Sequence, residues 1–145
     1  MLVLVVDDEE SLCELLAEVL SGDYEVIKAF NGKAALELAR ERKPDIIISD
    51  VMMPHMSGVE MLRALRDDAE TEKIPVILLS AAPPRSKVVE ASAFLTKPFE
   101  IEVLEKVVAK VAQDKLLVKD DPPEAPLQMS EFRLSSGFIR QASKS

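Results

Sequence analysis

The sequence predicts an α/β domain, a doubly wound five-stranded parallel sheet with helices on both faces. Short apolar runs such as Leu2–Val6 recur along the chain and alternate with segments whose apolar residues return every three or four positions. The run Ile46–Ile48 is apolar without alternation, as expected for a strand that is covered on both faces. Strands that alternate with helices form right-handed βαβ units and therefore a parallel sheet.

The first half of the chain supplies two βα units. Leu2–Val6 is the first predicted strand, and Gly22 is the stop signal of the helix that follows. Tyr24–Ala29 is the second strand, and an Asn-Gly pair then turns the chain into a second helix that ends before Pro44. The apolar residues predicted to form one face of the first helix are Leu12, Leu15, Leu16, Val19 and Leu20.

The second half continues the same alternation. Asp45–Asp50 is predicted as the third strand, Gly58–Arg66 as the third helix, Ile74–Leu79 as the fourth strand and Ala93–Thr96 as the fifth. We expect the strand order 2-1-3-4-5 of flavodoxin-like folds, with a site at the switch point between strands one and three. A last helix after Pro98 is indicated by an apolar face made of Ile101, Leu104, Val107, Val108 and Val111.

The segment between the fourth and fifth strands is short for a complete helical crossover. Pro83 and Pro84 do not fit a helix interior, because proline lacks the N–H donor and clashes with the preceding turn. Only Arg85–Ser92 remain, about two turns against a usual ~11–12 residues. We therefore expect a shortened or irregular fourth helix.

The composition indicates a globular protein and argues against several functional classes. The 145 residues, 48% of them apolar, suit one domain, and the net charge of −8 argues against nucleic-acid binding. No apolar run approaches the ~20 residues of a membrane helix, and the N-terminal run does not resemble a signal peptide. The single cysteine, Cys13, excludes an internal disulfide. We expect a cytoplasmic protein in which Cys13 packs as a small apolar residue.

Polar residues stand at the carboxyl ends of four predicted strands, and in an open parallel sheet these ends line one crevice. A strand-terminal serine or lysine is commonly structural, and acidic residues before a helix complement its dipole. The convergence of five such residues on one edge is what favours a functional site. These residues are Asp7, Asp8, Asp50, Ser80 and Lys97.

The residue types at this edge suit phosphoryl chemistry. Clustered carboxylates repel one another, and a bound cation, a proton or a neighbouring lysine relieves the repulsion. Oxygen ligands with room for water suit Mg²⁺, and the sequence has no Cys/His cluster that would favour zinc. A carboxylate such as Asp50 can attack phosphorus and form an aspartyl phosphate, with Lys97 and Ser80 contacting the phosphoryl oxygens.

Four motifs in this order, VVDDEE, DVMMPHMSG, LLSA and FLTKPF, resemble the receiver domain of bacterial two-component response regulators. The resemblance is to chemotaxis-regulator-like receivers and covers about residues 1–116. It implies that Asp50 is the phosphoacceptor, that Asp8 binds Mg²⁺ directly and that Asp7 binds it mainly through water. The backbone carbonyl of Met52 would complete the coordination by the protein.

The resemblance also implies roles for residues at the ends of the last two strands. Ser80 would be the switch hydroxyl, Lys97 would pair with the phosphoryl group, and Phe94 would be the aromatic residue that changes rotamer on activation. The Lys97–Pro98 bond would be cis, which a tertiary amide permits at modest cost.

The function implied is that of a receiver which accepts a phosphoryl group from a histidine kinase or phosphotransfer protein. It would then signal by binding a further protein, with no nucleic-acid or membrane partner and no enzymatic turnover beyond its own phosphorylation and autodephosphorylation. The short fourth helix favours one alternative, a phosphorylation-independent adaptor with a remodelled output face. A small Mg²⁺-dependent phosphatase is a third hypothesis, but the sequence offers no additional general acid.

The C-terminal part of the chain is predicted to lie outside the receiver. Residues 117–126 form a charged, proline-containing linker, and residues 127–145 form a tail too short for a DNA-binding domain. A stand-alone receiver with a short tail is therefore expected. The apolar residues of the tail leave three interpretations open, a disordered end, a peptide that docks on its own receiver, and a partner-binding peptide.

Overall fold

The computed structural model describes residues 1–81 and 91–117. Most of the predicted fourth helix falls within residues 82–90, outside the described residues, as do the tail and all of the predicted linker except Leu117. Here α4 therefore denotes the last helix of the described residues. The elements are β1 (Leu2–Val6), α1 (Glu10–Leu20), β2 (Glu25–Ala29), α2 (Gly32–Arg42), β3 (Ile46–Asp50), α3 (Gly58–Arg66), β4 (Val76–Ser80), β5 (Ala93–Thr96) and α4 (Ile101–Leu117).

The five strands form one parallel sheet in the order β2-β1-β3-β4-β5, which confirms the predicted fold class and strand order. In the middle of the sheet, Val5 lies opposite Lys28 of β2 and opposite Ile48 of β3. At the far side, Ser80 of β4 lies opposite Thr96 of β5. Because all strands run the same way, the carboxyl ends of β1, β3, β4 and β5 lie at one edge of the sheet.

Two apolar layers, one on each face, explain why the central strands are uniformly hydrophobic. Successive side chains of a strand point to opposite faces, so Ile46 and Ile48 pack towards α1 and α4 while Ile47 packs towards α2 and α3. All three isoleucines are fully buried. Burial of each such side chain stabilises the fold by about 1.5–3 kcal/mol.

The buried face of α1 differs from the predicted one. Cys13, Leu16 and Leu20 are the buried residues of this helix, whereas the side chain of Leu15 is 46% exposed. A helix turns by 100° per residue, so a face centred on Cys13 and Leu16 carries Leu15 towards solvent. The prediction of Leu15 as a core residue was wrong, and the prediction that Cys13 packs as a small apolar residue is confirmed.

The last helix, α4, packs on the same face as α1. Its buried residues are Leu104, Val107, Val108, Val111 and Ala112. Within residues 1–81 and 91–117, no helix is both long enough and apolar enough to cross a membrane.

The amino ends of β1 and β3 are tied to the last turn of α4 through Asp45. Its carboxylate accepts hydrogen bonds from the backbone N–H of Leu2 at 2.8 Å and from the Lys115 ammonium at 3.0 Å. Partial burial would raise the pKa of Asp45, but these two donors outweigh it and lower the pKa below its ordinary value. This tie lies at the edge of the sheet opposite the predicted site.

Candidate functional site

Three carboxylates meet where β1 and β3 end side by side. Asp7 and Asp8 follow β1 directly, and Asp50 is the last residue of β3. One carboxylate oxygen from each of the three lies within 4.8 Å of the others. Asp7 and Asp50 are buried and Asp8 is exposed, so the cluster faces solvent on the side of Asp8.

Lys97 brings a positive charge to this cluster from the end of β5. Its Nζ lies 2.8 Å from Oδ1 of Asp50 and 3.5 Å from Oδ2 of Asp7. Its backbone N–H donates to the carbonyl of Ser80 at 2.7 Å, which fixes the chain from which the side chain extends. Burial lowers the pKa of Lys97, but the contacts with Asp50 and Asp7 outweigh it and raise the pKa above its ordinary value.

The carboxylate of Asp7 is oriented by contacts to both of its oxygens. Oδ1 accepts a hydrogen bond from the backbone N–H of Glu9 at 2.9 Å, and Oδ2 faces Lys97. Burial raises the pKa of Asp7 despite these two opposing contacts, and the nearby charge of Asp50 adds to the increase. A bound cation would favour the ionised form of this buried group.

The main chain of Asp50 is held on two sides. The hydroxyl of Ser49, which is fully buried, donates to the carbonyl oxygen of Asp50 at 2.9 Å. Gly58, the first residue of α3, donates its N–H to the carbonyl of Val51 at 2.8 Å. A Cβ added at Gly58 would lie only 2.4 Å from the carbonyl oxygen of Asp50, so the two backbones touch.

The loop from β3 to α3 contains a tight γ-turn. The N–H of Met56 donates to the carbonyl of Pro54 at 2.7 Å, around His55, whose φ is 69°. A capping box then starts α3, in which Ser57 accepts from the N–H of Glu60 and the Glu60 carboxylate accepts from the N–H of Ser57. These local bonds give the loop after Asp50 a defined path.

The other predicted site residues lie around the same edge, with one exception. Ser80 is half-buried at the end of β4, and the side chain of Met52 is 73% exposed in the loop after Asp50. The Lys97–Pro98 peptide bond is cis. Phe94 is not grouped with the carboxylates, because it is buried in the apolar layer that packs towards α2 and α3.

Ser49 was missed by the sequence analysis, although a signal was present. It is the single polar residue inside the apolar run of β3, and a buried hydroxyl is expected to find a hydrogen-bond partner. The backbone N–H of Glu9 was also missed, since residue type carries no information about a main-chain donor.

The donors of the carboxylate cluster fit a hard divalent cation. Asp7, Asp8 and Asp50 offer only oxygen atoms, and the exposure of Asp8 leaves room for water ligands. Mg²⁺ usually binds to one or two carboxylates and keeps several waters. The three aspartates could therefore hold Mg²⁺.

The family model of the response regulator receiver domain matches residues 3–109. The chain belongs to this family. The resemblance drawn from the four sequence motifs is therefore confirmed, and the chain is a receiver domain of two-component signalling. Receiver domains bind Mg²⁺ at an acidic pocket, and they interact with upstream histidine kinases or phosphotransfer proteins and with downstream effectors.

Known receivers match most of the chain. The response regulator PleD of Caulobacter vibrioides is 40% identical over 124 residues, 81% of this chain, and Protein PilH of Pseudomonas aeruginosa is 36% identical over 115 residues, 75% of this chain. The chemotaxis protein CheY4 of Vibrio cholerae shares 35% identity with a TM-score of 0.71, over 76% of this chain and 97% of that one. The match with this chain covers 27% of the length of PleD and 10% of the length of histidine kinase P4 of Formosa agariphila, but 95% of the length of PilH.

Proposed function

We propose that this receiver is phosphorylated on Asp50 with Mg²⁺ and transmits the signal by phosphorylation-dependent binding of a protein partner. The observation that carries the proposal is the position of Asp50. It ends a central strand, lies within 4.8 Å of two other carboxylates and has Lys97 Nζ 2.8 Å from its Oδ1. In a receiver domain this is the carboxylate best placed to be a nucleophile.

The reaction is a transfer of one phosphoryl group between two nucleophiles. A carboxylate oxygen of Asp50 attacks the phosphorus of a phosphohistidine in the donor protein, so an O–P bond forms as the P–N bond breaks. The imidazole nitrogen keeps the electron pair of the broken bond and takes up a proton from solvent. Hydrolysis of the aspartyl phosphate by water later returns the carboxylate and releases phosphate.

The side chains around Asp50 have distinct roles in this transfer. Lys97 pairs with a phosphoryl oxygen and Ser80 donates its hydroxyl to another. Asp7, Asp8, Asp50 and the backbone carbonyl of Met52 would hold Mg²⁺, which when bound neutralises negative charge on the phosphoryl oxygens. Phe94 changes rotamer with activation and passes the change to the binding surface.

A mass measurement tests the assignment of Asp50. Intact protein is incubated with a small acyl phosphate donor and Mg²⁺, and wild type is compared with Asp50→Asn and with Asp23→Asn as the matched control. Asp23 is exposed in the turn between α1 and the amino end of β2, at the edge of the sheet opposite the cluster. We expect one added phosphoryl group in wild type and Asp23→Asn, and none in Asp50→Asn, because an amide is a poor nucleophile towards phosphorus.

The remaining outcomes separate the proposal from its alternative. Acceptance that survives Asp50→Asn would refute Asp50 as the acceptor. No addition in any of the three proteins would favour the phosphorylation-independent adaptor instead. Partner binding measured with and without a phosphoryl mimic then distinguishes a switch from a constitutive contact.

A further inference from the structure

The carbonyl oxygen of Asp50 is in contact with two residues that have no part in the carboxylate chemistry. From within β3, the buried hydroxyl of Ser49 donates to it at 2.9 Å. From the start of α3, Gly58 approaches it so closely that an added Cβ would lie 2.4 Å from this oxygen and 3.0 Å from Cα of Val51. We call Ser49 and Gly58 the carbonyl clamp of Asp50.

Gly58 is needed here for its small size and not for a special backbone conformation. Among the glycines that the structure describes, none has a positive φ, so alanine would meet no conformational barrier at this position. Alanine is also the better helix former. The obstacle is that the atoms it would strike belong to main chain, which cannot rotate away as the end of a flexible side chain can.

Gly32 also has a close neighbour in this loop, but there the neighbour is a side chain and not main chain. A Cβ at Gly32, the first residue of α2, would lie 2.7 Å from Sδ of Met56. Sδ and Cγ, the two nearest atoms of Met56, lie beyond Cβ on a side chain with several rotatable bonds and can yield. Asp50 has no such freedom, because its carbonyl is bonded to Ser49 and the next residue, Val51, donates its N–H to Leu79 at 2.8 Å and accepts from Gly58.

We infer that Ser49 and Gly58 are positioning residues for phosphoryl transfer, which hold the Asp50 main chain so that its carboxylate stays aligned with Lys97. The inference rests on the proposed function of Asp50. A displacement of the Asp50 carbonyl moves the carboxylate that now lies 2.8 Å from Lys97 Nζ. Misplacement of a reacting group by 1 Å can slow a reaction by about a hundredfold.

The test compares four proteins under conditions where each is shown to be folded. Gly58→Ala is the main variant, and Gly22→Ala is its control, since a Cβ at Gly22 meets nothing within 4 Å. Asp45→Asn weakens the tie at the opposite edge of the sheet and lowers stability without changing an atom near the Asp50 carboxylate. The rate of phosphoryl acceptance from an acyl phosphate is measured as a function of Mg²⁺ concentration, together with stability in urea.

We expect Gly58→Ala to lower the maximal rate, reached at saturating Mg²⁺, on the order of 10- to 100-fold. Gly22→Ala and Asp45→Asn should accept at the wild-type rate. If lost stability alone slowed acceptance, Asp45→Asn would be slow as well, so a slow rate confined to Gly58→Ala indicates a displaced Asp50. A wild-type rate in folded Gly58→Ala would overturn the inference and leave the assignment of Asp50 standing.

Two further measurements keep the inference testable if the variant does not fold or if no protein accepts phosphate. Ser49→Ala removes the other half of the clamp without adding bulk, and the inference requires a reduced rate and a shifted resonance of the Asp50 side-chain carboxyl carbon. In wild type, hydrogen exchange at the Gly58 amide should be as slow as in β3. Exchange as fast as in an open loop, or an unmoved Asp50 resonance in Ser49→Ala, would overturn it independently of phosphorylation.

Discussion

Cys13 is packed against the main chain of Asp7, and no step of the proposed reaction uses it. It is fully buried in α1, and its Sγ lies 3.3 Å from the carbonyl oxygen of Asp7 and 3.8 Å from that of Ala29. Burial raises the pKa of this thiol to about 11, and the negative charge of Asp7 contributes in the same direction. The residue is thus a neutral packing group next to a charged one.

A thiol with this pKa should be almost unreactive in the folded protein. The thiolate is the reactive form, and a pKa raised from 9.0 to about 11 lowers its fraction at pH 8 by about a hundredfold. We expect labelling by an aromatic disulfide to be at least that much slower in native protein than in urea-unfolded protein. Cys13 is the single cysteine, so the absorbance signal is unambiguous. Similar rates in the two states would contradict the buried position.

At the residue scale, the sequence predicted which side chains would meet but not the bonds that orient them. Asp7, Asp50 and Lys97 could be placed together because parallel topology alone brings strand ends to one edge. The donation from Ser49 to the Asp50 carbonyl depends on a rotamer, and the contact of Gly58 depends on how closely α3 approaches β3. Neither quantity is encoded in a pattern of polar and apolar residues.

At the element scale, the loop from β3 to α3 combines strain with strong local bonds. His55 adopts a left-handed φ of 69° that costs an L-residue about 1–2 kcal/mol, and it is exposed. The capping box at Ser57 and the N–H of Gly58 bonded to Val51 hold the two sides of the turn. The strain at His55 is therefore maintained by the bonds that follow it.

Glycine at residue 55 should relieve this strain. We expect His55→Gly to be more stable than His55→Ala by about 0.5–1 kcal/mol, since the backbone cost of the left-handed region exceeds the entropy that glycine loses on folding. Both variants remove the imidazole, so the difference reports the backbone alone. Urea unfolding of the two proteins measures it, and an alanine variant of equal or greater stability would show that the turn carries no strain.

The elements themselves were largely predictable, with α1 as the instructive exception. The five strands were identified because buried parallel strands are short, apolar and separated by helical periodicity. Leu15 was placed in the core because residue type does not distinguish it from Leu16, and Cys13 was not counted as part of the face. The actual face is decided by how α1 sits on the sheet, which is a tertiary property.

At the scale of the whole molecule, the candidate site and the Asp45 tie lie at opposite edges of the sheet. The carboxyl edge holds the charged cluster, and the amino edge holds the Asp45 tie between β1, β3 and α4. Lys115 reaches both the carboxylate and the backbone carbonyl of Asp45. The hydrogen bonds of this tie thus lie at the opposite edge of the sheet from the carboxylate cluster.

The tie should make stability depend on pH in a defined direction. The pKa of Asp45 is lowered in the folded state, so its contribution is present above the unfolded value of 3.8 and is lost as pH falls through the lower folded value. We expect Asp45→Asn to cost about 1 kcal/mol at pH 7, a modest figure because the group is partly exposed. The difference from wild type, measured by urea unfolding, should shrink below pH 4. A stability difference between wild type and Asp45→Asn that does not change with pH would contradict this role of Asp45. So would a loss of stability no larger than that caused by Asp23→Asn.

The contacts of Lys97 with Asp7 and Asp50 decide the net charge of the carboxylate cluster. Three ionised carboxylates and one ammonium leave the site with two uncompensated negative charges, which one divalent cation would cancel. A phosphoryl group on Asp50 carries about −1.5 to −2 in place of the −1 of the carboxylate, so phosphorylation would leave the neutralised edge about 0.5 to 1 charge more negative. At physiological ionic strength this field reaches about 8 Å into solvent. A partner with a cationic surface could thus distinguish the two states of the receiver by charge before any side chain has moved.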